Sequence, residues 1–278
     1  MHMEVDEIES QSQIIQKIIN KYIQLLLKVM DTDIEALSLE EYITKTSIVA
    51  KDFFDDKTKN YTCDKDNKVL LKDFGSPVIL FNDLKSSTNL LKEFEKDGLE
   101  CIYVAYMQYS SQLLADILDL FGGNIVECTG DGNYSIFTEE EIDENAIFRE
   151  GEDFLKNDFL RFCSASQDDV KNYYQHLNYN GQNKRYSFRR LIQYPCNYTA
   201  NKASIPQYIR KLFFHIFTIF NIEINKKLPS HIKTLFLTRT GCLKGACKIT
   251  RIQINNHILQ DKLIGSVVHQ AAHQASGK

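Results

Sequence analysis

Pro77-Val78-Ile79-Leu80-Phe81-Asn82-Asp83-Leu84-Lys85-Ser86-Ser87-Thr88 is the stretch on which the fold turns. An uninterrupted apolar run opened by a proline reads as a strand buried on both faces. An acid then stands at the strand's end, and small hydroxyl residues follow where a loop turns into a helix. That helix is expected over about 86 to 120, with Leu90, Leu91, Phe94, Tyr103, Met107, Leu113, Leu114, Ile117 and Leu118 on its core face. Gly122-Gly123 reads as a turn. Asn124 to Glu127 and Tyr134 to Phe137 read as strands joined by a tight turn at Thr129 to Asn133, a hairpin. Strand, helix and hairpin in this order describe an α/β chain.

Working outward, Ile14, Ile15, Ile18, Ile19, Tyr22, Ile23, Leu26 and Leu27 recur at helical spacing over 13 to 30. Ser38 and Glu41 match a capping box for a second, short helix. The stretch 55 to 76 reads as a solvated connection. Between 138 and 202 the periodicity is lost, with an acidic run from Glu139 to Asp153 and a basic-aromatic run from Lys184 to Arg190. Both runs read as solvated faces of an insertion; for the basic-aromatic run a phosphate-contacting or base-stacking surface is the alternative. Regular structure resumes with a helix from Ser204 and Pro206 to about 225, a strand at 232 to 238, a strand at 247 to 254 and a helix from about 265. Residues 1 to 76 therefore read as an N-terminal helical extension and connection. Residues 77 to 278 read as a catalytic domain carrying the insertion at 138 to 202.

Hydrophobic residues make up 43% and charged residues 25% of the 278, values that exclude wholesale disorder and a membrane bundle. With 33 basic and 37 acidic side chains the formal net charge is −4, which gives no electrostatic case for nucleic acid. Seven cysteines without a CxxC pair read as reduced thiols. The first residues lack the pattern of a secretion signal, and no apolar stretch reaches the length of a membrane span. A soluble cytoplasmic protein with no membrane partner is expected.

Chemistry concentrates in three segments. Asp83 ends a buried strand, and the hydroxyl residues after it either cap a helix or sit where amides suit phosphate oxygens. Cys128-Thr129-Gly130-Asp131-Gly132-Asn133 is hairpin-turn chemistry first. If the flanking strands are neighbours, however, Asp131 meets Asp83. Two close acids repel unless a cation neutralises them, and Mg²⁺ binds through one or two carboxylates plus substrate phosphates. The third segment combines Arg239-Thr240-Gly241-Cys242-Leu243-Lys244-Gly245 with Leu263-Ile264-Gly265-Ser266-Val267-Val268-His269-Gln270-Ala271-Ala272-His273. Its glycines let backbones approach closely, and its paired alanines suit a helix packed tightly against a neighbour.

Taken in order, these segments resemble the class III nucleotidyl cyclases. The shared pattern is a strand–acid–hydroxyl loop, Gly-Gly, a Gly-Asp hairpin, Arg-x-Gly-x-x-x-Gly and Ile-Gly-x-x-Val. It covers about 77 to 137 and 204 to 275, roughly half the chain, and the Asp-Leu-x-x-Ser-Thr form is similar to the bacterial branch that includes the Pycsar pyrimidine cyclases. The resemblance implies a ferredoxin- or palm-type mixed sheet flanked by helices, with the N-terminal helices and the insertion added to it. It implies conversion of a nucleoside triphosphate into a 3′,5′-cyclic monophosphate and pyrophosphate in a head-to-tail homodimer, with UTP or CTP favoured and a place in antiphage defence. Asp83 and Asp131 would hold two Mg²⁺ or Mn²⁺ ions, aided by the Leu84 carbonyl. Amides of Lys85, Ser86, Ser87 and Thr88 would cradle the triphosphate, and Arg239 would serve the reaction.

At the base-reading positions the chain has Glu127 and Lys262, an acceptor and a donor. They fit a pyrimidine or guanine, or else form a plain cross-strand ion pair. His269 and His273 stand where the family has Asn and Arg, four apart on one helical face. They read as donors to ribose and phosphate, as a surface pair, or as two ligands of a transition metal. A guanylate or adenylate cyclase is an alternative reading, as is an inactive nucleotide-binding homologue.

Overall fold

A computed structural model describes residues 11–31, 62–63, 69–154, 205–254 and 257–276. The expected second helix at Ser38, the basic-aromatic run, Cys163 and Cys196 lie outside the described residues. The element order is α1 (Gln11–Asp31), β1 (Thr62–Cys63), β2 (Val69–Asp73), β3 (Val78–Leu84), α2 (Ser87–Lys96), α3 (Glu100–Asp119), β4 (Gly123–Cys128) and β5 (Gly132–Phe137). There follow α4 (Glu144–Asp153), α5 (Ile205–Asn225), β6 (Thr238–Lys244), β7 (Lys248–Ile254), β8 (His257–Ile264) and α6 (Ser266–Ser276).

This is the expected α/β class, with strands pairing antiparallel in two four-stranded sheets ordered β4-β5-β3-β6 and β1-β2-β7-β8. Strand β3 runs through the interior of the first sheet, and its apolar run serves two cores. Val78, Leu80 and Leu84 face a helical layer of α1, α3 and α5, whereas Ile79 and Phe81 face α6 and the second sheet. A strand covered on both faces has no solvent side on which to place polar residues, so it does not alternate. Helix α1 joins the first core by burying Ile15, Ile19, Tyr22, Ile23, Leu26 and Val29, one stripe at helical spacing.

Several elements differ from the reading of the sequence. The long helix expected over 86 to 120 is two, because Gly98 takes a left-handed φ of 68°. The Leu99 amide donates to Phe94 O at 2.8 Å and the Gly98 amide to Glu95 O at 3.4 Å, the paired bonds of a Schellman stop. The apolar segment expected as a strand at 232 to 238 is irregular until Thr238. Asn225 takes the place of a neighbouring strand there, accepting from the Phe236 amide and donating to its carbonyl, each at 2.9 Å. The connection read at 55 to 76 contains β1 and β2, and β2 pairs with β7. Strand β8 was not anticipated. Cys101, Cys128, Cys242 and Cys247 are free thiols. Among the described residues no helix is long and apolar enough to cross a membrane.

Candidate functional site

The end of β3 lies between two partner strands, and the register decides what meets there. Asp83 is paired with Gly132 of β5 on one side and with Arg239 of β6 on the other. Asp131 precedes Gly132 at the tip of the β4–β5 hairpin, closed by the Thr129 amide donating to Gly132 O at 2.7 Å. Gly130 alone in that tip has a positive φ, 76°, the pattern of a type II′ turn. The Leu84 amide donates to the Asp131 carbonyl at 3.2 Å, tying the tip to the end of β3. The turn thus accounts for Gly130, and the register accounts for Asp131 standing beside Asp83. Burial pushes the Asp83 carboxyl above its ordinary range; Arg239 pulls it back, and the charge of Asp131 pushes it further up.

Arg239 is ion-paired with Asp83 through its Nη2, while its Nε is buried without a hydrogen-bond partner. Lys85 is close enough for burial and the Arg239 charge to lower its ammonium. Two carboxylates and two cations therefore gather at one end of one strand. Beneath them a buried polar network fixes the start of β6. Tyr106 donates to Asn221 Oδ1 at 2.7 Å, Asn221 donates to Thr238 Oγ1 at 2.9 Å, and Thr240 donates to Asn82 Oδ1 at 2.9 Å. With every one of these groups desolvated, losing a single partner would strand the others.

The loop after Asp83 differs from the phosphate cradle expected at Lys85, Ser86, Ser87 and Thr88. The Lys85 amide donates to Leu237 O at 2.8 Å, which removes it from any such cradle. Ser86 has φ 59°, and its carbonyl accepts from Asn89 and Leu90, so it caps α2 through its backbone and makes no side-chain cap bond. The amides of Ser87 and Thr88 lie in the first helical turn, where backbone donors have no helical acceptor.

Glu127 and Lys262 come from neighbouring strands of different sheets. A bulge in β4 between Ile125 and Glu127 breaks the alternation and sets Glu127 opposite Tyr134. Glu127 is buried and accepts the Leu263 amide at 3.3 Å, while Lys262 is exposed. Among the described residues the two form no ion pair, so that alternative is set aside. Tyr134, which the sequence marks only as the start of a strand, lies across from Glu127 and Phe81. Its ring lies tilted at 36° against Phe81 with centroids 4.4 Å apart, and burial, with the charges of Glu127 and Asp83 adding to it, raises the pKa of its hydroxyl. A signal was present in its position three residues after Asp131 on a strand facing Phe81.

His269 and His273 are exposed on α6, whose buried side chains are Val267, Val268, Ala271 and Ala275. The helix lies so close to β6 that a Cβ on Gly241 would run into the Ala271 carbonyl. Among the described residues neither histidine forms a hydrogen bond or ion pair with Asp83, Asp131 or Arg239, and no group of three or more His, Cys, Asp or Glu converges. Among the described residues the histidines thus have no third transition-metal ligand. Asp83 and Asp131 do fit a hard divalent cation, because two neighbouring acids, one of them raised by the other's charge, offer oxygen ligands that substrate phosphates can complete.

No protein-family model matches this chain, and no curated protein does. Among solved structures it is similar to a class III adenylyl cyclase-like ATP-binding protein from Pseudomonas aeruginosa, at 13% identity and a TM-score of 0.41, over 75% of this chain and 32% of that one. It is similar to the adenylyl cyclase CyaB of P. aeruginosa at 14% identity and a TM-score of 0.40, over 74% of each chain. The catalytic core of a rhodopsin-guanylyl cyclase with converted specificity, in complex with ATPalphaS, shows 11% identity and a TM-score of 0.36 over 74% of each. This chain spans about a third of the first of these. Likenesses at such identity and superposition carry no argument about function.

Proposed function

We propose that the chain is a class III nucleotidyl cyclase that converts a nucleoside triphosphate into its 3′,5′-cyclic monophosphate and pyrophosphate. The observation that carries this reading is the meeting of Asp83 and Asp131 beside Arg239 at the end of β3, supported by the ordered motifs around them. Asp83 and Asp131 would hold Mg²⁺ or Mn²⁺, two ions per site, with the Leu84 carbonyl as a further ligand. When bound, the metal supplies charge neutralisation and lowers the pKa of the ribose 3′-hydroxyl. Arg239 and Lys85 meet phosphate oxygens, and Ser86, Ser87 and Thr88 border them. The 3′-oxygen forms a bond to the α-phosphorus as the bond to pyrophosphate breaks and the hydroxyl proton passes to solvent. Catalysis is then positioning and electrostatic stabilisation, with no protein nucleophile.

Glu127 and Lys262 read the base, Glu127 accepting N–H groups and Lys262 donating to a carbonyl. That pairing favours UTP or CTP over ATP, with guanine as the alternative, and a cyclic pyrimidine messenger in antiphage defence is the corresponding role. His269 and His273 serve ribose and phosphate from a second copy in a head-to-tail homodimer, which accounts for their exposure in the single chain. Incubation with each of the four triphosphates and Mn²⁺ tests the reading. A cyclic pyrimidine nucleotide is the expected product, and no cyclic product from any triphosphate would reject it.

A second reading, an inactive nucleotide-binding homologue, rests on His269 and His273 standing where the resembled family has Asn and Arg. It expects metal-dependent binding of intact triphosphate without turnover. It further expects activity to appear when His269→Asn and His273→Arg are combined.

A further inference from the structure

We propose that Arg239 holds the cation's place on Asp83, so that the site takes up its divalent metal together with a polyphosphate and resists the free ion. This rests on the reading of Asp83 and Asp131 as metal ligands and adds an order of binding to it. The two residues are directly opposite in the β3–β6 register, so the ion pair is set by the sheet and needs no chance meeting of side chains. A divalent cation reaching the Asp83 carboxylate has to displace that guanidinium.

The charge balance decides when displacement is favourable. Asp83, Asp131, Arg239 and Lys85 together are neutral in a partly desolvated corner. A free divalent ion entering alone would leave an excess of two positive charges and a guanidinium without its partner, a costly arrangement away from bulk water. A polyphosphate entering with the metal removes that excess and gives the guanidinium new oxygens. Arg239 is already short of one acceptor, because its Nε is buried with none. A guanidinium offers five donors in a fixed fork that suits phosphate oxygens, so an unfilled buried donor beside two carboxylates points to an anionic ligand.

Equilibrium dialysis of the full chain at buffered free Mn²⁺, with bound metal counted, tests the displacement. Wild type is expected to bind little Mn²⁺ alone and several-fold more when inorganic tripolyphosphate is added. Arg239→Gln is expected to bind free Mn²⁺ at least tenfold more tightly than wild type and to respond less to tripolyphosphate. Arg239→Lys, which keeps a charge on the same strand but loses the fork, is expected to gain about threefold, and it decides the matter if the glutamine variant fails to fold. Equal or weaker Mn²⁺ binding in both variants, with binding still lost in Asp131→Asn, overturns the displacement and leaves the carboxylate site standing. A gain that survives Asp131→Asn in the Arg239→Gln background overturns both.

Discussion

Among the described residues two arginine–aspartate pairs lie directly across neighbouring strands, and they are built differently. Arg251 of β7 and Asp261 of β8 meet through Nε and Nη2, both at 2.6 Å, with side chains only 8% and 10% exposed. Arg239 of β6 and Asp83 of β3 meet through Nη2 alone, at 31% and 14% exposure, with Nε unfilled and Asp131 adding a second negative charge. The first pair is geometrically complete, and its guanidinium fork matches the carboxylate it faces. The second combines the same chemistry with a missing acceptor and a surplus acid. A closed pair holds a hairpin together, whereas an open one leaves ligands for something else. The two Arg–Asp couples thus locate the candidate site by contrast.

The largest expected difference is in activity. Asp131→Ala removes a carboxylate from the open pair and should cut cyclic-nucleotide formation by about 10²–10³-fold or more, with the circular-dichroism spectrum unchanged. Arg251→Ala should leave a buried, unpaired Asp261 and cost about 3–5 kcal/mol in urea unfolding, whereas replacing both partners by apolar residues should be close to neutral. If the apolar double replacement cost as much as the single one, the closed pair would not be a self-contained lock.

Acid stability has to be separated from both pairs, and His215 supplies the control. It is buried in α5 with Nδ1 2.6 Å from Lys211 O, and burial lowers its pKa to about 4. Its folded pKa lies below the unfolded value of 6.5, so the unfolded chain binds the proton first. The resulting stability is present above pH 6.5 and is lost as the pH falls toward about 4, by at most about 3 kcal/mol. His215→Asn should flatten that slope, and an unchanged slope would assign it elsewhere. The smallest effect is expected at the open pair. Arg239→Gln should cost less stability than Arg251→Ala, because the Arg239 side chain is 31% exposed and the Arg251 side chain 8%. A loss as large as that of Arg251→Ala would make it a second structural lock.

Much of the first sheet is readable in the sequence because local and global demands agree there. The Val78–Phe81 run is short, apolar and opened by Pro77, which suits a strand buried on both sides, and Gly130 announces a hairpin whose tip carries Asp131. The irregular segment before β6 is not readable, because Leu235, Phe236 and Leu237 have strand-like side chains while Asn225, distant in sequence, satisfies the Phe236 backbone. Strand β8 is masked by Gln260, Asp261 and Lys262, of which Asp261 is inward-facing only because Arg251 lies opposite. Within the candidate site, the acids announce themselves by type and position. The bulge that turns Glu127 toward Leu263, the placement of Tyr134 and the commitment of the Lys85 amide to Leu237 depend on pairing between segments, and no local pattern encodes them.

The most direct measurement is anomalous scattering from crystals grown with Mn²⁺ and a non-hydrolysable nucleoside triphosphate. The account predicts a manganese peak bridging the carboxylates of Asp83 and Asp131, with Arg239 moved from Asp83 to phosphate. Bound nucleotide with no metal between those two carboxylates would contradict it.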